Sequence, residues 1–163
     1  MRSGITSQGR RALGEEVRIR RADARDAKRL TRLVRTSRSY EGPYAPMVAG
    51  YRVGHDYVET HRVFAAVGET TGRLLGFYAL ILDPPELDLM FVADDAQGAG
   101  LGRLLIGHLK DEAHAAGLAE VRIVSHPPAE AFYMSVGARR AGTVRAAPPA
   151  VMWDRPELLL AVA

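Results

Sequence analysis

The sequence contains no cysteine. That absence excludes a disulfide framework, a thiolate metal cluster and a cysteine nucleophile together. Long apolar runs are also missing. The longest uncharged one, Leu74 to Leu82, is about half of what a bilayer span needs and carries Gly76 within it, so no transmembrane helix is expected. Lysine is scarce: only Lys28 and Lys110 occur, and the positive charge is almost entirely guanidinium, a group suited to bidentate binding of phosphate. The net charge is only +3 and the signs are interspersed. Such a pattern reads as a solvated surface and not as a nucleic-acid footprint.

What is present fits one ordinary folded domain. Hydrophobic residues make up 47% and charged residues 25% of the 163 residues, enough chain to bury about two-thirds of its unfolded surface in one core. Residues 1–15 are basic, rich in polar residues and without apolar periodicity, so they read as a flexible tail before a single domain over 16–163. They hold no apolar core of a secretory signal, which together with the missing span points to the cytoplasm.

Val17 and Ile19 alternate with Arg18 and Arg20, the period of a short strand. Asp23 resembles a helix cap, and Ala24, Ala27, Leu30, Leu33 and Val34 then form the stripe of an amphipathic helix. Residues 37–51 hold Gly42, Pro43, Pro46 and Gly50 with Tyr40, Tyr44 and Tyr51, a segment too punctuated for a long helix and aromatic enough to wall a pocket. Val63 to Val67 and Leu74 to Ile81 flank a Gly68–Gly72 turn and predict a hairpin. Strands are expected at Leu87 to Val92, Val121 to Val124, Arg139 to Val144 and Glu157 to Val162. A long helix is expected from Leu101, stopping at Gly117, and a short one from Ala129 to Val136, ended by Gly137. Adjacent strands joined by two helical crossovers argue an α/β (α+β) domain with a mixed sheet of about six or seven strands and helices on both faces.

Gln97-Gly98-Ala99-Gly100-Leu101-Gly102-Arg103 stands between a strand and the long helix. Its glycines let backbone N–H groups turn toward a ligand, and the helix N-terminus adds roughly half a positive charge, so the loop suits phosphate. It is not a P-loop, because Arg103 and Leu104 follow Gly102 where Lys and Ser or Thr are required. It is not a Rossmann fingerprint either. The third glycine position holds Arg103, and Ser125 and His126 occupy the place of the ribose-binding acid.

Gln97, Gly100 and Gly102 match a Gln/Arg-x-x-Gly-x-Gly/Ala pattern behind the strand ending at Val92. Phe132-Tyr133-x-x-x-Gly137-Ala138 and Gly76-Phe77-Tyr78-Ala79-Leu80 follow and precede it in the matching order. In these motifs the chain, from about Val17 onward, resembles the GNAT superfamily of N-acetyltransferases. The resemblance implies a sheet splayed at its fourth and fifth strands, between the strand ending at Val92 and Val121 to Val124, with acetyl-CoA as co-substrate in the splay. It implies pyrophosphate binding by Gln97, Gly98, Ala99, Gly100, Leu101, Gly102 and Arg103, and pantetheine pairing by Met90, Phe91 and Val92. One departure stands out: relatives often carry an Asp-Pro-Asn-like segment where this chain reads Ser125-His126-Pro127-Pro128-Ala129, so an asparagine contact cannot be transferred.

Acetyl transfer to an amine needs a neutral amine, a polarised carbonyl and a stabilised leaving thiolate. By the resemblance, Tyr133 lies near the cofactor sulfur as general acid, and Glu86, with Asp88 as its same-face neighbour, stands where a catalytic glutamate occurs in the histone-modifying branch. The backbone of Met90 to Val92 supplies the oxyanion donor. His126 beside two prolines reads as structural, with a second role as reserve acid. His55, His61, His108 and His114 show no zinc spacing, so no metal is expected. The implied acceptor is a primary amine of a small molecule or peptide, attacking directly in a ternary complex and lying against residues 37–51. A homodimer is left open, and the alternative is a non-catalytic CoA-sensing or protein-binding module on the same fold.

Overall fold

The computed structural model describes residues 10–163, so residues 1–9 of the expected tail lie outside it. Strands β1 (Arg11–Ala12), β2 (Glu15–Arg21), β3 (Arg62–Gly68), β4 (Leu74–Leu82), β5 (Pro85–Val92), β6 (Glu120–Val124), β7 (Ala138–Val144) and β8 (Arg155–Ala161) form one sheet in the order β1-β2-β3-β4-β5-β6-β8-β7. Helices are α1 (Ala27–Arg35), α2 (Pro46–Ala49), α3 (His55–Thr60), α4 (Leu101–Ala115) and α5 (Glu130–Ser135). The mixed sheet with helices on both faces is the architecture expected, with one strand more than expected.

That extra strand lies in the stretch read as tail. Leu13 and Gly14 both adopt positive φ and turn β1 back onto β2, so Arg11 faces Glu16 and Ala12 faces Glu15. Two central positive φ angles suit the twist of a tight hairpin. Glu15 is itself buried and accepts hydrogen bonds from the Thr70 and Thr71 amides and the Thr71 hydroxyl, tying β2 to the β3–β4 turn. The ordered fold therefore begins before residue 16.

Two apolar layers sandwich the sheet. On one face Leu101, Leu105 and Leu109 of α4 pack with Leu75, Tyr78, Ile123 and Leu158. On the other, Leu30 and Val34 of α1 pack with Val63, Ala65, Phe77 and Phe91. β4 contributes to both layers, which explains its apolar character on either side. α4 stops where Gly117, at positive φ, lets Leu118 N–H reach the Ala113 carbonyl at 2.9 Å and Gly117 N–H reach His114 at 3.0 Å. This is the reciprocal C-terminal cap that glycine favours.

α1 is anchored at its start by a buried carboxylate. Asp23 accepts from the Arg25 amide, and Asp26 accepts from the Asp23 amide at 2.9 Å and from Arg20 at 2.8 and 2.9 Å. The Arg20 guanidinium, with help from Arg29, holds the Asp26 carboxyl far below the usual carboxylate range. Asp26→Asn is expected to destabilise the fold by about 2 kcal/mol near neutral pH, the scale of hydrogen bonds to a charged group. Because the folded pKa is depressed, this contribution is complete above the unfolded carboxyl pKa and fades as the pH falls below it. Urea melts of both proteins from neutral to acid pH should show the gap closing; a constant gap would contradict the assignment.

Candidate active site

The sheet opens at β5 and β6, the one parallel pair among the described residues. β5 and β6 share a single registered pair, Glu86 with Arg122, and then diverge. The remaining strand neighbours pair antiparallel over longer stretches, except for the two-residue β1. A cavity of about 510 Å³ fills the wedge, between β5, the glycine loop, the start of α4 and the residues around α5. Such a volume suits a drug-sized or cofactor-sized ligand. The splay expected between the strand ending at Val92 and Val121 to Val124 is present.

Backbone polarity in the wedge follows from strand alternation. Ala93 N–H bonds Leu75 across the β4 side, so the amide groups of Met90 and Val92 point the other way, into the open side. The Val92 carbonyl is accordingly not used by β4, and the Gln97 side chain donates to it at 2.9 Å. Gln97 therefore fixes the mouth of the glycine loop to the end of β5.

Gly98 and Gly100 both lie at φ near +80°, a region that costs an L-residue about 1–2 kcal/mol. Gly100 is the N-cap of α4, and the first turn of that fifteen-residue helix carries no acid to cancel its dipole. Gly102 serves a different purpose. A Cβ there would stand 2.9 Å from Phe132 Cζ, so this glycine lets α4 and α5 approach each other. Arg103 lines the cavity and reaches Ser135 at 3.3 Å, while Arg10 leans over Gly100 and donates to the Ala99 carbonyl at 3.3 Å. Arg10 is a second cation at the loop, and nothing in its sequence surroundings marks it.

The expected cofactor-contact residues Met90, Phe91, Val92, Gln97, Gly98, Gly100, Leu101, Gly102, Arg103 and Tyr133 all line this cavity. Ala99 does not; it packs against the core, and its carbonyl is taken by Arg10. Tyr133 is only 7% exposed and stacks edge-on to Phe132, yet its hydroxyl has no hydrogen-bond partner among the described residues. Burial pushes its pKa well above the ordinary tyrosine value, so the hydroxyl keeps its proton.

Glu86 and Asp88 line a second cavity of about 190 Å³ on the α1 side, which shares Tyr40, Asp88, Leu89, Phe91, Val124 and His126 with the first. Their same-face relation by simple alternation does not hold. Ala79 pairs with Leu89 and Leu80 with Leu87, leaving Asp88 as the extra residue of a β-bulge. The bulge nevertheless keeps both carboxylates on the small cavity. Glu86 lies 3.6 Å from Arg122, and burial outweighs that cation to raise its pKa. Asp88 accepts a hydrogen bond from the Tyr57 hydroxyl.

Residues 37–51 form the outer wall. Asp94, just past β5, accepts the Arg38 amide and holds this segment over the wedge. Tyr40 stacks on His126 at 3.8 Å and on Phe91 at 5.6 Å; Tyr44 meets His126 and Trp153 edge-on at 4.6 and 4.7 Å. His126 thus stands in the partition between the two cavities, a more central place than a structural loop residue. Its Nε2 donates to the Ser39 carbonyl at 2.7 Å, and burial lowers its pKa. Donation to a carbonyl places a proton on Nε2, and burial disfavours a second proton on Nδ1.

Comparison with known proteins decides the family. The model described as the acetyltransferase (GNAT) domain matches residues 52–147, more than half of the chain. The chain belongs to the GNAT acetyltransferase family. A stretch of 76 residues is 37% identical to mycothiol acetyltransferase of Tsukamurella paurometabola, covering 40% of this chain and 26% of that protein. The match therefore spans about a quarter of the curated relative's length. Among solved structures, a GCN5-related N-acetyltransferase from Rhodopseudomonas palustris superposes with a TM-score of 0.76 at 17% identity, over 88% of this chain and 94% of the other. The ribosomal-protein-S18-alanine N-acetyltransferase of Escherichia coli gives 0.66 at 21% identity, over 90% and 94%. At these identities the structural likeness establishes the GNAT fold. Among the described residues no helix is long and apolar enough to cross a membrane.

Proposed function

We propose that this GNAT protein is a cytoplasmic N-acetyltransferase that carries an acetyl group from acetyl-CoA to a primary amine of a small molecule or peptide, by direct attack in a ternary complex. The observation that carries the reading is the wedge itself. Unpaired β5 amides, a left-handed glycine cradle at a helix N-terminus and a protonated, unpartnered tyrosine all line one cavity, and a second cavity with two carboxylates adjoins it. A cradle into which a Cβ does not fit without strain, beside the cations Arg10 and Arg103, fits a pyrophosphate.

When bound, acetyl-CoA supplies the acetyl thioester and the leaving thiol. The amides of Gly98 to Arg103 hold the pyrophosphate against the α4 dipole, and Met90 and Val92 pair with the pantetheine arm as an added strand would. A β5 amide donates to the thioester oxygen as negative charge develops there. Glu86 accepts the amine proton, directly or through water, with Asp88 beside it. Tyr133 donates its hydroxyl proton to the departing sulfur. The wild-type protein should release CoA steadily with an amine from a broad acceptor panel; CoA binding without turnover of any amine would favour the CoA-sensing module instead.

Glu86→Gln tests the base. Since burial raises the Glu86 pKa and a base must be ionised, the acid limb of kcat/KM should lie above the ordinary glutamate range in the wild type. The variant should lose that limb and fall behind by roughly tenfold or more near neutral pH, where free amine is scarce. Superimposable profiles would assign the proton to Asp88 or to solvent.

A further inference from the structure

The small cavity contains an unmet demand for partners. Among the described residues, the buried side-chain nitrogens and oxygens left without a hydrogen bond are His126 Nδ1, Trp153 Nε1 and Arg155 Nε. All three residues line this one cavity. A buried polar atom left unpaired is costly, so a concentration of them in one place points to a ligand that pairs them. Arg155 is the sharpest case. Its Nε has no hydrogen-bond partner, and its charge reaches Glu86 only at longer range, because Glu86 and Glu157 are engaged by Arg122 at 3.6 Å and 2.5 Å.

The cavity is polarised. Arg155 and the Trp153 N–H are donors; Glu86, Asp88 and the unpaired His126 Nδ1 face them, with the His126 proton on Nε2; Met47, Val48 and Tyr51 supply apolar wall. About 190 Å³ is too little for a large antibiotic or a folded peptide segment to enter. A guanidinium and an indole N–H that line one cavity, each with an unpartnered nitrogen, are complementary to a planar carboxylate.

Resting on the acetyltransferase reading above, we infer that the acceptor is a small amino acid-like molecule: its carboxylate pairs with Arg155 and Trp153 Nε1, its amine faces Glu86, Asp88 and His126, and an apolar side chain rests on Met47, Val48 and Tyr51. Arg155 and Trp153 are then specificity determinants of the acceptor site. A polyamine would place a second cation beside Arg155, and a peptide N-terminus would offer a neutral carbonyl in place of the carboxylate.

The test is steady-state CoA release with the proteinogenic amino acids, their carboxamides and their decarboxylated amines. An amino acid with an apolar side chain should exceed its carboxamide and its amine by at least about tenfold in kcat/KM. Arg155→Gln should raise KM for that amino acid by roughly ten- to a hundredfold, with CoA affinity by calorimetry unchanged and with Arg155→Lys restoring part of the loss. Trp153→Phe, which keeps the ring and removes the N–H, should raise the same KM by a smaller factor and guards against a folding defect at Arg155. Turnover of amines or carboxamides as readily as amino acids, or no acetylation of any amino acid, overturns the inference while CoA binding and amine turnover leave the acetyltransferase reading standing. No CoA binding by the folded wild type overturns both.

Discussion

Tyr133→Phe is expected to lower kcat by roughly tenfold to a thousandfold and to leave CoA affinity nearly unchanged. Only the hydroxyl is removed: the ring stays packed edge-on against Phe132, and no hydrogen bond within the described protein is lost, because the hydroxyl makes none. A packing role would therefore leave no kinetic trace. An acid role would leave a large one, since a free thiol has a pKa near 8.5 and its thiolate departs only moderately well at neutral pH. Burial raises the Tyr133 pKa, so the hydroxyl stays protonated across the working range. Full activity of the variant at all pH values would make Tyr133 a core residue and turn attention to His126, which lines the same cavity.

Gly100→Val is expected to weaken CoA binding by roughly a hundredfold or more, through loss of the cradle and not of a side-chain contact. Gly100 combines φ of +80° with the N-cap position of α4, and a β-branched residue there must either strain the backbone or rotate the loop amides away from the wedge. A new Cβ would also stand 2.6 Å from Arg10 Nη1, displacing that guanidinium from the loop. Stability should fall by only about 1–2 kcal/mol, so a folded variant can be examined. Unchanged affinity in a folded Gly100→Val protein would show that the phosphates lie elsewhere.

Much of this arrangement is legible in the sequence because it depends on local pattern. The stripe Leu101, Leu104, Leu105 and Leu109 sets α4, Gly117 ends it, and three closely spaced glycines after Val92 mark the cradle. Features that depend on distant partners are not legible. The bulge at Asp88 exists because β4 and β5 change register between Ala79 and Leu80, which alternation within β5 alone does not reveal. β1 is too short for any period, and its turn uses Leu13 at φ of +51°, a residue with no turn signature. α3 buries only Val58, too little for an amphipathic stripe. The stack from Phe91 through Tyr40, His126 and Tyr44 to Trp153 joins segments that only the folded sheet brings together. The tyrosines of residues 37–51 hinted at a wall; the buried nitrogens of Trp153 and Arg155 gave no hint, because their importance lies in partners they lack.

Every role assigned above depends on the wedge between β5 and β6 being a CoA site. Calorimetric titration of the wild-type protein with CoA tests it without reference to acceptor, base or acid. The expected result is saturable binding of one CoA per chain, competed by acetyl-CoA and weakened by roughly a hundredfold or more in Gly100→Val. A correctly folded wild-type protein that shows no saturable binding of CoA would contradict it.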